Sequence, residues 1–342
     1  MKKTILLTGG LGYIGSITAH MLHSAGYQVI IIDSLVYNQT TYLPGVQIIK
    51  GDIGNSHLME SLFDTFEIDA VMHFAGLIEV GESVKYPDRF YLNNVANTVK
   101  LLDTMRQHGV NSFIFSSSCA VYGNPAYVPM DENHPYAPLS PYGKTKLAVE
   151  YALEDYTHAY GLKYVSLRYF NASGALPEHK LGECHNPETH VIPLLLRAAM
   201  DRKPFAIFGT DYDTVDGTCI RDYIHVADIA QAHILALEYL CSGGNSEVFN
   251  LGTGTGYSVR QLIDVAQRVC KQSIGVAEHP RRPGDAAVLV ANANKIKKVL
   301  SWQPQHADLE RILHDAWVWE QKRYKGIMGS KDHCEVRDVY LS

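Results

Sequence analysis

The sequence predicts an α/β protein built on a doubly wound, mostly parallel β-sheet. Short apolar runs recur through the first half of the chain, and amphipathic stretches of helical length separate them. A glycine-rich turn follows the first of these runs. Continuous β-branched runs are typical of strands that are covered on both faces. Because strands that alternate with helices form parallel sheets, the pattern favours this fold class.

The individual elements follow from these runs. Helices are predicted from about Ile14 to Ala25, where Gly26 ends the helix, and over Asn94 to Gln107. Val248 to Leu251 predicts a buried strand late in the chain. Five strands are predicted in the first half, at Thr4 to Thr8, Gln28 to Ile32, Val46 to Lys50, Ala70 to Phe74 and Ser112 to Ser116.

A change in texture after Asn171 predicts two domains. A loop rich in glycine, proline and histidine begins soon after it, and mixed helices and short strands follow. We therefore expect a first domain over residues 1–171, to which residues 221–252 return, and a smaller C-terminal α/β domain over residues 172–342. The tail after about residue 325 is polar and lacks periodicity, so it is expected to be loosely ordered.

Composition excludes several classes of protein. The net charge of −6 argues against a dedicated nucleic-acid binder, whose surface would be basic. The chain has no apolar run of the roughly 18 residues that a membrane span needs, and its N-terminal apolar run is too short for a signal peptide. The six cysteines contain no CxxC pair, which favours reduced thiols in the cytoplasm.

Histidine spacing does not indicate a bound metal ion. The sixteen histidines contain no HExxH motif. His20 and His23 lie three residues apart on a predicted helix, but the sequence supplies no evident third ligand. We therefore expect no metal site.

The run GGLGYIG at residues 9–15 lies between the first strand and the first helix. Glycines allow the backbone to turn tightly and to approach a pyrophosphate, which binds at the helix N-terminus where free N–H groups point. Tight turns without a ligand also use glycine. The strand before the run and the helix after it nevertheless favour a dinucleotide site.

Two aspartates are candidate contacts of such a dinucleotide. Asp33 ends the second strand, 21 residues after Gly12, where an acid accepts hydrogen bonds from the adenosine ribose. A carboxylate there would repel a 2′-phosphate, so NAD is favoured over NADP. Asp52 follows the third strand and is a candidate adenine contact. For each aspartate the alternative is an ordinary turn or helix-capping residue.

Tyr142 and Lys146 form a YxxxK pair after the fifth strand. Pro141 suits the first turn of a helix, and residues four apart then share one helix face. A free phenol has a pKa of about 10, so it is a poor base at neutral pH. A nearby ammonium group would favour the phenolate, which makes the pair a candidate for acid–base catalysis.

Three serines, Ser116 to Ser118, end the fifth strand or follow it directly. The carboxyl ends of strands in a doubly wound sheet face the ligand crevice. A hydroxyl at this position could share a proton with Tyr142. The alternative for any one serine is a hydrogen bond to the loop backbone.

Taken together, these motifs resemble the extended short-chain dehydrogenase/reductase family, and within it the UDP-glucose 4-epimerases, over about residues 3–325. The resemblance implies a Rossmann-type sheet with a smaller substrate domain, NAD as the cofactor, and a UDP-sugar substrate. The matching segments are Thr8 to Ser16, His73 to Gly76, Val80 to Ser83, Asn93 and Asn94, Ser116 to Gly123, Ser140 to Lys146, Arg168 to Asn171, Arg221 to Val226, Asn250 to Gly252, and Arg281 to Asp285.

The resemblance also assigns roles to single residues. It implies that Ser118 is the catalytic hydroxyl, Tyr142 the base and Lys146 its electrostatic partner. The resemblance implies that Ser118 and Tyr142 also contact the substrate, and that Leu289 lies near the sugar. It further implies that Asn171 binds the diphosphate, that Arg221 and Arg282 bind the phosphates, and that Asp285 binds the uridine ribose. It places at the cofactor Gly9, Gly12, Tyr13, Ile14, Gly15, Asp33, Asp52, Ile53, Phe74, Ala75, Gly76, Asn93, Ser116, Tyr142, Lys146 and Tyr169. Considered alone, each arginine would more often be a solvated surface charge.

The implied reaction inverts C4 of a UDP-sugar. Tyr142 as phenolate would take the O4 proton while hydride moves from C4 to NAD, and the 4-keto sugar would turn over before hydride returns to its other face. Alternatives are an epimerase of UDP-pentoses or UDP-uronates, a related dehydratase or decarboxylase, and a non-catalytic NAD-binding regulator. A dehydratase would need a carboxylate where Cys119 and Ala120 stand, and the intact catalytic residues argue against a silent regulator.

Three positions depart from the family pattern. Ile78 stands where a lysine is common, and Ala120 where a threonine is common. Leu289 occupies a position that is often tyrosine or a smaller residue. Because a tyrosine there would crowd an acetamido group, leucine predicts that UDP-N-acetylhexosamines are also accepted.

The resemblance further implies a homodimer. Related enzymes pair two helices across a two-fold axis, and the corresponding stretches here are Asn94 to Gln107 and Tyr142 to Tyr160. Both carry apolar stripes, at Val95, Val99, Leu101, Leu102 and Met105 and at Leu147, Ala148, Tyr151 and Ala152. The alternative is that both stripes pack only on their own sheet.

Overall fold

The computed structural model describes residues 2–37, 43–282 and 284–324, and it confirms the predicted fold class. A seven-stranded parallel sheet forms its centre, in the order β12-β6-β5-β4-β1-β2-β3. Its strands are β1 (Thr4–Thr8), β2 (Gln28–Asp33), β3 (Gln47–Lys50), β4 (Ala70–His73), β5 (Ser112–Ser118), β6 (Lys163–Tyr169) and β12 (Glu247–Leu251).

The remaining strands form smaller sheets beside the first. In the four-stranded sheet, β11 pairs with β13, β15 and β7, while β10 pairs with β14 and β8 with β9. These strands are β7 (Asn171–Ser173), β8 (Ala175–Leu176), β9 (Leu181–Gly182), β10 (Phe205–Phe208), β11 (Ile220–His225), β13 (Gly256–Ser258), β14 (Val276–His279) and β15 (Val288–Leu289). A single residue separates β7 from β6, so the chain passes directly from the large sheet to the four-stranded one.

Helices cover both faces of the large sheet. Side chains on successive strand residues point to opposite faces. Ile5 and Leu7 therefore pack in the core that includes Ile17 of the first helix, whereas Leu6 packs in the core that includes Leu101 and Leu102. The helices are α1 (Tyr13–Ser24), α2 (Ser56–Thr65), α3 (Val80–Lys85), α4 (Pro87–Phe90), α5 (Asn97–Gln107), α6 (Pro141–Tyr160), α7 (Val191–Asp201), α8 (Val226–Cys241), α9 (Val259–Cys270), α10 (Asn294–Leu300) and α11 (Leu309–Tyr324).

The stretch predicted as one helix from Asn94 to Gln107 has two parts. A π-helical segment, Tyr91–Ala96, precedes α5. Within it, the Asn94 side chain accepts from Leu77 N (2.8 Å) and donates to Leu77 O (2.9 Å). This pairing ties the segment to the loop after β4, which sequence periodicity alone does not show.

The domain boundaries stay a prediction, although β12 lies at the edge of the large sheet, within the stretch 221–252 that was expected to return there. The tail after residue 325 lies outside the described residues. None of the helices in the described ranges combines the length and the apolarity that a membrane span requires.

Candidate active site

A cavity of about 720 Å³ runs along the carboxyl edge of the large sheet. The register explains its position, because Thr8 lies opposite both Ile32 and His73, and Ser118 lies opposite Tyr169. Five strands therefore end at one edge. The residues that line the cavity come from the loops after these strands on one side and from the smaller sheets on the other.

The backbone is closely packed at two glycines, Gly9 in the turn after β1 and Gly15 in the first turn of α1. Gly9 has a φ of +67°, and a Cβ on it would lie 2.5 Å from Ala75 N. A Cβ on Gly15 would lie 2.5 Å from Gly9 O. Because α1 begins at Tyr13, directly after this turn, the unpaired N–H groups of its first turn lie at the cavity wall. The arrangement fits a pyrophosphate at the helix N-terminus.

Asp33 and Asp52 both line the cavity, but they differ in what they bond. Asp33 accepts from Leu11 N at 3.0 Å and from Leu35 N at 2.9 Å, so its carboxylate is fixed at the end of β2. Burial raises the pKa of Asp33, and these two backbone bonds oppose the rise. Asp52 accepts from Gly54 N at 2.7 Å, a turn contact, so its turn role exists alongside its place in the wall.

The predicted catalytic pair, Tyr142 and Lys146, lies on the first turns of α6. Ser140 caps this helix by accepting from Gly143 N at 3.2 Å, and the cap places Tyr142 and Lys146 on one face. The Lys146 ammonium donates to Ser116 O at 2.8 Å and lies 5.9 Å from the centre of the Tyr142 ring. The structure thus brings together the two residues that the YxxxK spacing predicted.

Burial shifts both members of the pair away from their charged forms. It lowers the pKa of Lys146 to about 8, although the Glu150 carboxylate opposes the shift. It raises the pKa of Tyr142 to about 12, against a hydrogen bond with Ser118 that lowers it. Without further positive charge Tyr142 is therefore a neutral phenol at pH 7, and the predicted role as a base requires a cation beside it.

The three serines of the strand end have separate partners. Ser116 supplies the carbonyl that Lys146 contacts, and Ser117 Oγ donates to Glu150 Oε1 at 2.6 Å. Ser118 Oγ accepts from Ala120 N at 3.1 Å. The loop contact that we considered as an alternative thus exists at Ser118, and its hydroxyl also reaches Tyr142.

The other residues assigned to the cofactor also line the cavity. The hydroxyl of Tyr169 lies 2.7 Å from His233 Nε2, and this hydrogen bond fixes the orientation of the tyrosine ring. Asn93 donates to the side chain of Asn94 at 2.8 Å. Besides the glycines, aspartates, Tyr142 and Lys146, the residues in this wall are Tyr13, Ile14, Ile53, Phe74, Ala75, Gly76, Asn93, Ser116 and Tyr169.

The opposite wall carries Asn171, Arg221, Arg282 and Asp285. Arg221 donates to Ala286 O at 2.8 Å and lies 3.5 Å from Asp285 Oδ1, with 12% of its side chain exposed. The Arg282 guanidinium carbon lies 3.9 Å from the centre of the Phe208 ring. These two arginines are therefore held at the cavity by the protein. A pair of fixed guanidinium groups is suited to binding phosphates.

Two of the three departures are not among the residues that line the described cavity. Leu289 stands opposite Arg221 in the sheet register, but its side chain packs beside the apolar cluster that includes Phe170 and is absent from the lining of the described cavity. Ala120 is also absent from that lining, whereas Ile78 is part of it.

Two glutamates and two histidines that we did not predict from the sequence form a cluster just before α7. Glu183, His185 and His190 line the cavity, and with Glu188 their ligand atoms lie within 4.8 Å of one another. His190 Nδ1 lies 2.5 Å from Glu183 Oε1, the distance of a close imidazole–carboxylate contact. The ExHxxExH spacing in the loop after β9 was the available signal.

The charge of this cluster follows from its pairing. Burial disfavours the imidazolium of His190, but Glu183 and Glu188 outweigh it and raise the pKa of His190 to about 10. Burial likewise opposes ionisation of Glu183, and His190 outweighs it and lowers the pKa of Glu183 to about 2. His190 precedes α7, so a protonated imidazole forms part of the cavity wall.

The chain belongs to the NAD dependent epimerase/dehydratase family, whose model matches residues 5–252. It is 48% identical over 326 residues to the UDP-glucose 4-epimerase of Rhizobium meliloti (strain 1021), a match that covers 95% of this chain and 99% of the relative.

Solved structures agree with this assignment. The UDP-glucose 4-epimerase from Brucella ovis in complex with NAD is 42% identical, with a TM-score of 0.87 and coverage of 92% of this chain and 97% of that one. The UDP-Glc/GlcNAc 4-epimerase from Campylobacter jejuni is 39% identical, with a TM-score of 0.81 and coverage of 94% and 99%.

Proposed function

We propose that this protein is an NAD-dependent epimerase that inverts C4 of a UDP-sugar, with the UDP-glucose/UDP-galactose pair as its main substrates. One observation carries the proposal: Ser118, Tyr142 and Lys146 meet in a single cavity, between the glycine turn of α1 and the arginine-bearing wall. The Rhizobium meliloti relative, a UDP-glucose 4-epimerase, supports the choice of sugar.

Each catalytic side chain has a task that its surroundings favour. Tyr142 removes the proton from the sugar O4 and later returns it, and Ser118 shares this proton through its hydroxyl. The Lys146 ammonium, held against Ser116 O, favours the phenolate of Tyr142. NAD held in this cavity would supply the hydride acceptor, and then the donor, that an inversion at C4 needs. Because every cycle restores the cofactor, the protein gains nothing by releasing it.

The arginine-bearing wall holds the nucleotide part of the substrate. Arg221 and Arg282 would contact the diphosphate together with Asn171, and Asp285 would contact the uridine ribose. The sugar is then attached only through its diphosphate link, about which it can turn to present either face to the cofactor. Holding one end and leaving the other free is what an inversion at C4 requires.

Three alternatives are separated by substrate and by cofactor chemistry. A UDP-pentose or UDP-uronate epimerase would use the same catalytic residues, so only a substrate panel distinguishes it. A dehydratase would need a carboxylate after Ser118, where Cys119 and Ala120 stand. A silent NAD-binding regulator would not need the buried Tyr142–Lys146 pair. Acceptance of UDP-N-acetylhexosamines is supported by the likeness to the Campylobacter jejuni enzyme.

We also propose a homodimer in which two copies pack their α3–α6 faces together. Leu101, Leu102 and Met105 of the predicted stripe are fully buried in the core of their own chain, so they cannot form the interface. Other apolar side chains on this face are exposed, at Val84, Tyr86, Tyr91, Leu92, Tyr151 and Tyr160. Light scattering at micromolar concentration should show a dimer, and Leu92→Arg should shift it to monomer.

A cytoplasmic location is proposed on the basis of the thiols. The five cysteines within the described residues are all free. Thiols that stay unpaired are typical of proteins in reducing compartments. Immunodetection in the soluble and periplasmic or secreted fractions of the native cell tests the location.

Four UDP-sugar classes assayed side by side test the proposed function: hexoses, N-acetylhexosamines, pentoses and uronates. We expect UDP-galactose and UDP-glucose to interconvert without added reductant, and denaturation of the purified protein to release near-stoichiometric NAD(H). Tyr142→Phe is the matched control, since it keeps the ring and removes only the hydroxyl. Turnover confined to pentoses or uronates would contradict the choice of sugar, and release of NADP would contradict the choice of cofactor.

A further inference from the structure

An ion pair is buried directly behind the catalytic residues. Arg168 of β6 and Glu150 of α6 have only 1% and 5% of their side chains exposed. Arg168 Nε donates to Glu150 Oε1 at 3.0 Å, and Arg168 Nη2 donates to Glu150 Oε2 at 2.5 Å. The contact is therefore bidentate, the geometry in which an arginine–carboxylate pair is strongest and best oriented.

The pair is the centre of a larger buried network. Arg168 also donates to the Tyr122 hydroxyl at 2.7 Å, and Tyr122 donates to Asn250 Oδ1 at 2.6 Å. On the other side, Ser117 Oγ donates to Glu150 Oε1 at 2.6 Å. The charges are thus paired and hydrogen-bonded, as buried charges must be if they are not to destabilise the fold.

Three members of this network lie close in sequence to residues assigned to the site. Ser117 lies between Ser116 and Ser118, and Arg168 precedes Tyr169. Glu150 follows Lys146 by four residues on α6, so the two share one helix face. Glu150 and Arg168 themselves do not line the described cavity. They can therefore act on the reaction only through the residues beside them.

We propose that Glu150 is a positioning residue that keeps the Lys146 ammonium charged and directed at Ser116 O. This inference rests on the proposed function. Two bonds join α6 to the end of β5, Lys146 to Ser116 O and Ser117 to Glu150, and together they set the distance between the helix and the strand. Arg168 holds the carboxylate in place, so Glu150 presents a fixed negative charge one helical turn from Lys146.

Among the groups around Lys146, Glu150 is the carboxylate that raises the pKa of the ammonium against the effect of burial. Burial lowers the pKa of Lys146, and Glu150 raises it. His73 on β4 also faces Lys146, but burial lowers the pKa of His73 to about 3, so it is neutral. Tyr142 is the third group, and it is faced in turn by Ser118, Cys119, Glu79 and Tyr169.

Loss of the Glu150 charge should change the pH dependence of the reaction in one direction. When the Glu150 charge is removed, the ammonium of Lys146 is disfavoured and its pKa falls. A neutral lysine no longer favours the phenolate, so the pKa of Tyr142 rises and the acidic limb of the rate profile moves to higher pH. A residue that only stabilised the fold would lower the melting temperature and leave this limb in place.

Three variants of the NAD-bound protein separate these roles. Glu150→Gln removes the charge and keeps the shape, Glu150→Asp keeps the charge and shortens the reach, and Tyr122→Phe loosens the network without touching the carboxylate. We expect Glu150→Gln to move the acidic limb of the kcat–pH profile upward by about half to one pH unit. At pH values below the limb, kcat should then fall roughly three- to tenfold. The limb should stay in place in the other two variants, even where the melting temperature falls.

If Glu150→Gln does not fold because Arg168 is left unpaired, the double variant Glu150→Gln/Arg168→Met, which removes both buried charges, is measured instead. An unshifted limb in whichever variant retains NAD overturns the proposal, as does an equal shift in Tyr122→Phe. Lack of UDP-galactose turnover by the wild type would instead contradict the proposed function. In that case the pKa of Tyr142 is measured without turnover, as the part of the tyrosinate absorbance that is lost in Tyr142→Phe, and Glu150→Gln should raise this pKa.

Discussion

The two walls of the cavity are built in different ways. The wall proposed for the cofactor consists of the ends of parallel strands four to seven residues long and the loops that follow them. The wall proposed for the substrate is attached to strands of two to six residues and to loops. Lys146 on the first wall is 4% exposed, whereas the side chains of Arg221 and Asp285 on the second are 12% and 37% exposed.

The difference in burial between the two walls suits two different functions. The buried wall can shift pKa values, because desolvation disfavours charge there, and it can hold a cofactor against backbone that leaves no space for side chains. The more exposed wall leaves its arginines accessible, which suits a substrate that enters, turns and leaves. Changes on the first wall should therefore alter kcat and cofactor retention, and changes on the second should alter KM.

The largest expected effect is that of Tyr142→Phe. Loss of the hydroxyl removes the acid–base group, so kcat should fall by roughly 10²–10⁴-fold. The phenyl ring still packs, and NAD released on denaturation should match the wild type. A variant that keeps more than about a tenth of wild-type kcat would show that Tyr142 is not the base.

A second test compares two glycines with positive φ, one on each side. Gly9→Ala places a Cβ 2.5 Å from Ala75 N, whereas Gly284→Ala has no heavy atom within 4 Å. Gly9→Ala should cost about 2–4 kcal/mol of unfolding free energy and lose NAD, and Gly284→Ala about 1 kcal/mol with NAD kept. Urea unfolding and released NAD measure both, and equal costs would remove the argument from close packing.

A third and smaller effect is expected at the arginines. Arg282→Ala should raise KM for UDP-galactose about ten- to a hundredfold, since a charge-assisted bond contributes about 1.5–3 kcal/mol, and should leave bound NAD unchanged. Arg281→Ala is the matched control, because Arg281 pairs with Asp211 and stacks over Tyr212 outside the described lining. A similar KM rise in both variants would point to general loss of positive charge.

The smallest effect is expected at Leu289. Because its side chain packs beside the cavity, Leu289→Tyr should act by pushing on its neighbours. We expect the ratio of kcat/KM for UDP-galactose to that for UDP-N-acetylgalactosamine to rise by at most about tenfold. An unchanged ratio would assign the choice between these sugars to other residues of the wall.

Sequence patterns were most informative where one short segment contains the whole feature. The strand, glycine turn and helix around residues 4–24 are contiguous, and so are Tyr142 and Lys146, which the helix brings together whatever surrounds it. The strand that carries the serines was predicted to end at Ser116, and β5 extends to Ser118. We predicted strands from apolar runs, so the three polar serines at the end of β5 were not recognised as part of the strand.

Features that join distant segments could not be predicted in the same way. Glu150 and Arg168 are 18 residues apart in sequence, and Tyr122 and Asn250 are 128 apart. The apolar stripe of α5 indicated a helix with one apolar face, but only packing shows that Leu101, Leu102 and Met105 face their own sheet. Leu289 was placed near the sugar by resemblance, and its neighbours in space place it beside the cavity.

The sequence by itself therefore determined the alternation of strands and helices in the first half of the chain, the glycine turn after the first strand, and the shared helix face of Tyr142 and Lys146, because periodicity and short spacings act through local backbone geometry. Tertiary structure decided which buried charges meet, how far burial shifts the pKa values of Tyr142 and Lys146, and that His190 is held as a cation by Glu183. Desolvation and ion pairing depend on what surrounds a group in space, and those neighbours come from distant parts of the chain.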